Sequence, residues 1–187
     1  MKLTRISDGS VVVIPAQTIL VYGTARNIPV SIAGKAAVVA SADPYDVGYT
    51  RETVGELLVD GDTETFGDLK GNGTYTVDFG ENHSVILDMV RLYPRTGYAY
   101  RLDGTYIRGS ADGKTWITIT APVQESVDGK WYEIKAEEFL AYGGFRYFEI
   151  AGCSAGNVAE VEFYGVYKGD GSNGTVTGGD AGKQTGP

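Results

Sequence analysis

Cysteine and histidine are almost absent: Cys153 and His83 are the only residues of either type among 187. One cysteine cannot form an intrachain disulfide, and one cysteine with one histidine cannot supply a multi-cysteine zinc site. The chain has no nucleophile elbow and no P-loop, and no pair stands out among its 24 acidic residues. We therefore expect a protein that is not an enzyme, with Cys153 as a small buried residue.

Positive charge is also scarce, with 16 Lys and Arg against 24 Asp and Glu and a net charge of −8. Phosphate binding needs clustered basic side chains, so we expect no nucleic-acid partner. No apolar run approaches the roughly 20 residues of a membrane helix, so we expect no membrane insertion. Asp8 and Pro15 interrupt the N-terminal segment, which does not have the pattern of a signal peptide.

Methionine (2) and proline (6) are few, whereas tyrosine (13) and glycine (27) are abundant. This balance favours short β-strands and tight turns over long helices. The only segment with a helical pattern is Ala136–Tyr142, which ends at two glycines. The length suits one substantial core rather than two.

Residues 37–167 have the pattern of an all-β domain, a β-sandwich or a barrel. In the last run Val161 and Phe163 share one face while Glu160 and Glu162 share the other, which indicates a half-buried strand. Turn residues separate short runs rich in Val, Ile, Tyr and Phe. The runs are Tyr75–Phe79, Val85–Tyr93, Tyr106–Gly109, Trp116–Thr120, Trp131–Ile134, Phe145–Ile150 and Val158–Tyr164.

Both ends of the chain differ from this domain. Residues 1–36 contain three short β-branched runs, Val11–Ile14, Thr18–Tyr22 and Ile28–Ile32, and predict a β-rich extension. This extension is either a docking arm for protein assembly or an addition to the domain's own sheets. Residues 168–187 are rich in glycine and polar residues and predict a flexible tail.

Seven segments, in order, resemble the discoidin family, the coagulation factor 5/8 type C domains, which includes carbohydrate-binding modules of the family-32 kind. Phe66 stands where that family often has Trp, and Glu149 where Arg is common. The paired cysteines of the animal membrane-binding branch are missing, which favours the bacterial or viral sugar-binding branch. The matching segments are Val39–Ala42, Leu58–Phe66, Tyr75–Gly80, Val90–Arg95, Ile107–Trp116, Phe145–Ile150 and Asn157–Gly165.

Asp60 and Asp62 flank Gly61, a spacing that lets a tight turn direct oxygen atoms at one point. From the residues alone, an Asx turn without metal remains an alternative, and the loop is not an EF-hand. The family resemblance implies a structural calcium ion. Its implied ligands are Asp60, Asp62, Thr65 and Glu160, with carbonyl oxygens from Leu58 or Val59 and from Ala159.

Sugar recognition needs aromatic faces and planar hydrogen-bond donors. The segment 95–101 supplies both, and the resemblance places it near the binding face. We therefore predict ligand-binding roles for Arg95, Tyr98, Tyr100 and Arg101, although ordinary surface tyrosines are an alternative. Trp131 is a further candidate platform or a core residue.

The resemblance implies a jelly-roll β-sandwich for residues 37–167. It also implies a non-catalytic carbohydrate or cell-surface-binding module with a cell-surface glycan as its partner. The N-terminal extension, the glycine-rich tail and the lack of a secretion signal suggest display on a larger assembly such as a phage particle. The expected location is then a virion or extracellular surface reached without a signal peptide, and otherwise the cytoplasm. The alternative is a structural virion decoration or adaptor protein that binds no sugar.

Overall fold

The fold is built from short antiparallel strands. In a computed structural model of the chain, the described residues are 2–4, 11–13, 29–30, 37–137 and 144–169. They contain β1 (Lys2–Thr4), β2 (Val11–Val13), β3 (Pro29–Val30), β4 (Ala37–Ala40), α1 (Arg51–Glu56), β5 (Tyr75–Asp78), β6 (Ser84–Pro94), β7 (Tyr106–Ser110), β8 (Ile117–Thr118), β9 (Tyr132–Lys135), β10 (Tyr147–Ala151) and β11 (Val158–Lys168), with 3-10 helices at Ala99–Leu102 and Ser154–Gly156.

Two sheets form the sandwich. The five-stranded sheet has the order β4-β5-β10-β7-β8, and the four-stranded sheet has the order β3-β11-β6-β9. Every pair of neighbouring strands is antiparallel. A separate ribbon joins β1 to β2. The predicted all-β sandwich is confirmed.

Aromatic rings from both sheets fill the core between them. Phe79 and Phe148 meet edge to face at 5.8 Å, and Phe163 lies 5.5 Å from Phe148. All three are fully buried. Val161 and Phe163 face inward as the alternation predicts, because successive side chains of a strand point to opposite faces.

Helix α1 lies outside Ala136–Tyr142, the only segment with a helical pattern in the sequence. The expectation that no other segment is helical is therefore wrong. Thr50 and Thr53 cap the start of α1 reciprocally, each side chain accepting the other's backbone N–H. Gly55 is required because a Cβ there would lie 2.2 Å from the Val38 carbonyl oxygen. Ala136 instead bridges Thr120, and residues 138–142 lie outside the described residues.

Part of the N-terminal extension belongs to the sandwich. Pro29 pairs with Tyr164 and Val30 with Phe163, so β3 extends the four-stranded sheet of its own chain. The run Thr18–Tyr22 lies outside the described residues, as does the tail beyond residue 169. None of the described helices has the length and apolar character needed to cross a bilayer.

Candidate functional site

Three loops meet at one end of the sandwich. Strand β6 ends where β11 begins, with Pro94 opposite Val158, so the loop after β6 lies beside the loop before β11. The loop that follows α1 joins them through two backbone hydrogen bonds. Gly67 N donates to Val158 O and Leu69 N to Ala155 O, both at 2.8 Å.

A buried amide connects the polar side chains of these loops. Asn157 has no solvent exposure. Its Oδ1 accepts hydrogen bonds from Nη1 of Arg95 at 3.2 Å and Nη1 of Arg101 at 2.7 Å. Its Nδ2 donates to Asp68 Oδ1 at 2.9 Å, and Asp68 Oδ2 accepts from Arg95 at 2.8 Å. Both guanidinium groups are therefore held at one oxygen atom.

Aromatic rings lie against both guanidinium groups. That of Arg95 lies 3.9 Å from the ring centre of Phe66 and 4.3 Å from that of Tyr98. The Arg101 group lies 4.5 Å from Tyr98 and 6.0 Å from Tyr100. The structure thus brings together four of the predicted ligand-binding residues, and Tyr100 is 62% exposed.

A cavity of about 380 Å³ opens beside this cluster, and we call it the loop cavity. This volume lies in the usual range of small-ligand sites, about 300–1,000 Å³. Tyr45 and Tyr49, which are 71% and 42% exposed, supply aromatic surface. The lining that bears on recognition comprises Tyr45, Tyr49, Glu64, Phe66, Asp68 and Arg95.

Sequence reasoning missed the contributions of Tyr45, Tyr49, Asp68 and Asn157. Asn157 lies in one of the segments that carry the family resemblance, but its sequence context indicates no binding role. The turn-rich stretch around Tyr45 contains no motif that indicates a binding site. Contacts between residues far apart in sequence reveal all four. The 89 positions between Asp68 and Asn157 illustrate this distance.

Trp131 lies elsewhere. Its ring packs edge to face against Tyr93 at 5.2 Å and lies 4.5 Å from the Arg91 guanidinium. Arg91 also bonds Glu162 on β11 at 2.8 Å. Trp131 is therefore half-buried beside β6 and does not line the loop cavity.

The predicted metal loop brings several oxygen atoms together around Thr65. Its hydroxyl donates to Asp60 Oδ2 at 2.8 Å and to Asp62 O at 2.9 Å, with Leu57 O at 3.5 Å. Asp60 Oδ1 accepts from Asp62 N at 2.8 Å, which is the geometry of an Asx turn. The Asp62 carboxylate accepts from Glu64 N at 2.9 Å.

Glu160 links this loop to β11. It is 4% exposed, although the alternation placed it on the outer face, because the loop covers it. Its Oε2 accepts from Gly61 N at 3.0 Å. Burial, assisted by the charge of Asp60, raises the pKa of Glu160 to about 8. Leu58 O, one of the implied carbonyl ligands, accepts from Val161 N at 2.8 Å.

The donor set fits an oxygen-preferring cation in part. Asp60, Thr65 and the Asp62 carbonyl lie together, and Glu160 reaches the same loop. However, the described residues contain no group of three or more His, Cys, Asp or Glu side chains arranged to hold a metal ion. A bound ion would therefore depend on hydroxyl and carbonyl oxygens as well as carboxylates.

Comparison with known proteins shows likeness in structure. No family model and no curated protein matches the sequence. The carbohydrate-binding module CBM62 from Clostridium thermocellum Xyl5A superposes with a TM-score of 0.60 and 24% identity, over 71% of this chain and 96% of that one. An F5/8 type C domain from Bacteroides fragilis gives 0.57 and 17%, over 77% and 98%.

A third similar structure is CpGH89CBM32-5 from Clostridium perfringens, solved in complex with GalNAc-β-1,3-galactose. It has a TM-score of 0.56 and 16% identity, and the match covers 73% of this chain and 99% of that chain. At such identities the likeness establishes the fold. The chain therefore has the same β-sandwich fold as these carbohydrate-binding modules and the F5/8 type C domain, as the resemblance of its motifs predicted.

The raised pKa of Glu160 predicts a pH-dependent stability of the ion-free protein. Because the folded-state pKa lies above the ordinary value of 4.5, folding favours the protonated carboxyl. This contribution is complete below about pH 4.5 and is lost as the pH rises to about 8. In urea unfolding with EDTA, Glu160→Gln should remove about 2–4 kcal/mol of that pH dependence.

The control for this measurement is Glu81→Gln, at an exposed turn. It should leave the pH profile of the free energy of unfolding as it is in the unmodified chain. Identical profiles for Glu160→Gln and the unmodified chain would contradict the prediction.

Proposed function

We propose that this chain is a non-catalytic carbohydrate-binding module and that the loop cavity is its sugar site. The observation that carries the proposal is the Asp68–Arg95 pair, bonded at 2.8 Å within a cavity lined by aromatic rings. A sugar presents an apolar ring face and several hydroxyl groups around the edge of the ring. Aromatic surface suits the first, and a paired guanidinium and carboxylate suit the second.

Each group has a distinct role in this proposal. The described hydrogen bonds of Arg95 use Nη1, so its other N–H groups can donate to sugar hydroxyls. Asp68, whose side chain is 25% exposed, accepts from a hydroxyl. Tyr45 and Tyr49 stack on the apolar face of the sugar ring. Phe66 packs against the Arg95 guanidinium and holds its orientation.

The structural neighbours support the same function. Two of the three are carbohydrate-binding modules, and the Clostridium perfringens module was solved with GalNAc-β-1,3-galactose. We propose by analogy that the ligand here is a cell-surface glycan containing galactose or GalNAc. This choice supplies the first probes for a binding assay.

We further propose that calcium stabilises the loop next to this site. Asp60, Thr65, Glu160 and oxygens of Asp62 would hold the ion. Bound calcium would neutralise the carboxylates and tie the loop to β11. The same loop continues to Phe66 and Asp68, so its stability bears on the shape of the sugar site.

We propose that the module is displayed outside a cell, on a larger assembly such as a phage particle. Residues 1–36 would provide protein assembly on that particle. The pairing of β3 with β11 limits the free part of such an arm to residues before Pro29.

The sugar site predicts that Arg95→Ala and Asp68→Ala each weaken glycan binding by at least about tenfold, since each removes a charged hydrogen-bonding group. Isothermal titration with GalNAc-β-1,3-galactose and a glycan array measure this. Lys114→Gln is the control, because Lys114 lies on the β7–β8 turn, at the far end of β7 from the site. A chain that binds no glycan on the array, with calcium present, would refute the proposal and favour the adaptor function.

The calcium proposal predicts a higher melting temperature in millimolar calcium than in EDTA. Asp60→Asn should abolish most of that difference, because it removes a carboxylate whose Oδ2 lies at the Thr65 hydroxyl. Asp43→Asn, at an exposed ion pair with Arg51, is the matched control and should retain the response. A melting temperature that calcium does not change in the unmodified chain would disprove the site.

The assembly proposal predicts that the full chain self-associates or binds its particle and that a chain lacking residues 1–28 does not. This truncation retains β3 and hence the edge of the sheet. Size-exclusion chromatography with light scattering distinguishes the two. Monodisperse monomers in both forms would argue against self-assembly through the extension.

A further inference from the structure

Arg101 differs from the other arginines of the described region. Among the described residues, no carboxylate lies within the 4.0 Å ion-pair distance of its guanidinium, although the chain has more acidic than basic residues. Each of the remaining arginines among residues 37–137 and 144–169 has such a partner. The pairs are Arg51–Asp43, Arg91–Glu162, Arg95–Asp68, Arg108–Glu149 and Arg146–Asp78.

The described groups that contact the guanidinium of Arg101 are a neutral amide and two aromatic rings. Its Nη1 donates to the neutral amide of Asn157 at 2.7 Å. Asp68 is engaged by Arg95 and by the Asn157 amide. Asp103, two residues along the chain, accepts from the backbone and hydroxyl of Ser126 at 2.8 and 2.6 Å.

The position of Arg101 also suits a ligand. Its guanidinium lies 4.5 Å from the ring centre of Tyr98 and 6.0 Å from that of Tyr100, and these side chains are 36% and 62% exposed. It shares the oxygen of Asn157 with Arg95, which lines the loop cavity. Arg101 itself does not line the cavity, so a glycan bound at Arg95 would reach Arg101 with a group that extends beyond the cavity.

We propose that Arg101 binds an oxyanion on the glycan, a carboxylate or a sulfate ester, so that the ligand is an acidic sugar chain. This inference rests on the proposed sugar site. A guanidinium offers parallel N–H donors that match the oxygens of such groups, and charged hydrogen bonds of this kind are stronger than neutral ones. The faces of the tyrosine rings also attract the guanidinium cation and help to hold it in place.

The test uses three glycans with one common core: lactose, 3′-sialyllactose and lactose 3′-sulfate. Isothermal titration in about 50 mM NaCl should show that at least one acidic glycan binds about tenfold tighter than lactose. Comparing the affinities for 3′-sialyllactose and lactose 3′-sulfate identifies whether a carboxylate or a sulfate ester is recognised. Raising the NaCl concentration to about 500 mM should reduce the preference, since salt screens partly exposed charges.

Arg101→Gln should abolish the preference, so that the ratio of the affinity for the acidic glycan to that for lactose falls from about tenfold to about one. Arg101→Lys keeps the positive charge but loses the paired N–H donors of the guanidinium. It should give an intermediate preference for the acidic glycan over lactose. Lys114→Gln removes the same charge from the far turn and should retain the full preference. Melting temperatures of all three variants report whether each remains folded.

The possible results separate the two proposals. If lactose and both acidic glycans bind equally well, the role of Arg101 is wrong and the sugar site stands. If the preference survives in Arg101→Gln, another group reads the oxyanion and the inference is likewise overturned. If the unmodified chain binds none of the glycans on a broad array, the proposed function fails and this inference fails with it.

Discussion

The buried amide of Asn157 is the interaction on which the arrangement of the candidate site depends. A buried polar group without partners is costly, so its hydrogen bonds constrain every loop that supplies one. Asn157 Oδ1 accepts from two arginines of the loop after β6, and Nδ2 donates to the loop after α1. Three segments distant in sequence are thereby held in one place.

The sandwich makes this amide possible. Pairing of β6 with β11 aligns Pro94 with Val158, which sets Arg95 next to Asn157. In the core, the rings of Phe79, Phe148 and Phe163 pack against one another and hold the two sheets together. The core thus positions the loops, and the loops carry the polar groups that suit a sugar.

Much of the fold could be predicted because strand alternation and turn residues are local signals. The inward positions of Val161 and Phe163 follow from their spacing alone. Helix α1 escaped prediction because its six residues are too few for a helical period and its cap is a pair of threonines. Glu160 was assigned to an outer face, but a loop nearly one hundred residues earlier in the chain covers it.

The strands, the fold resemblance and a candidate binding segment containing Arg95, Tyr98, Tyr100 and Arg101 could be predicted from the amino-acid sequence. The residues that face this segment are defined by the folded chain. Asp68 and Asn157 meet across 89 positions, and Tyr45 and Tyr49 join them at the loop cavity. The physical reason is that periodicity encodes burial within one strand, whereas the partner of a polar side chain is chosen by the packing of the whole sandwich.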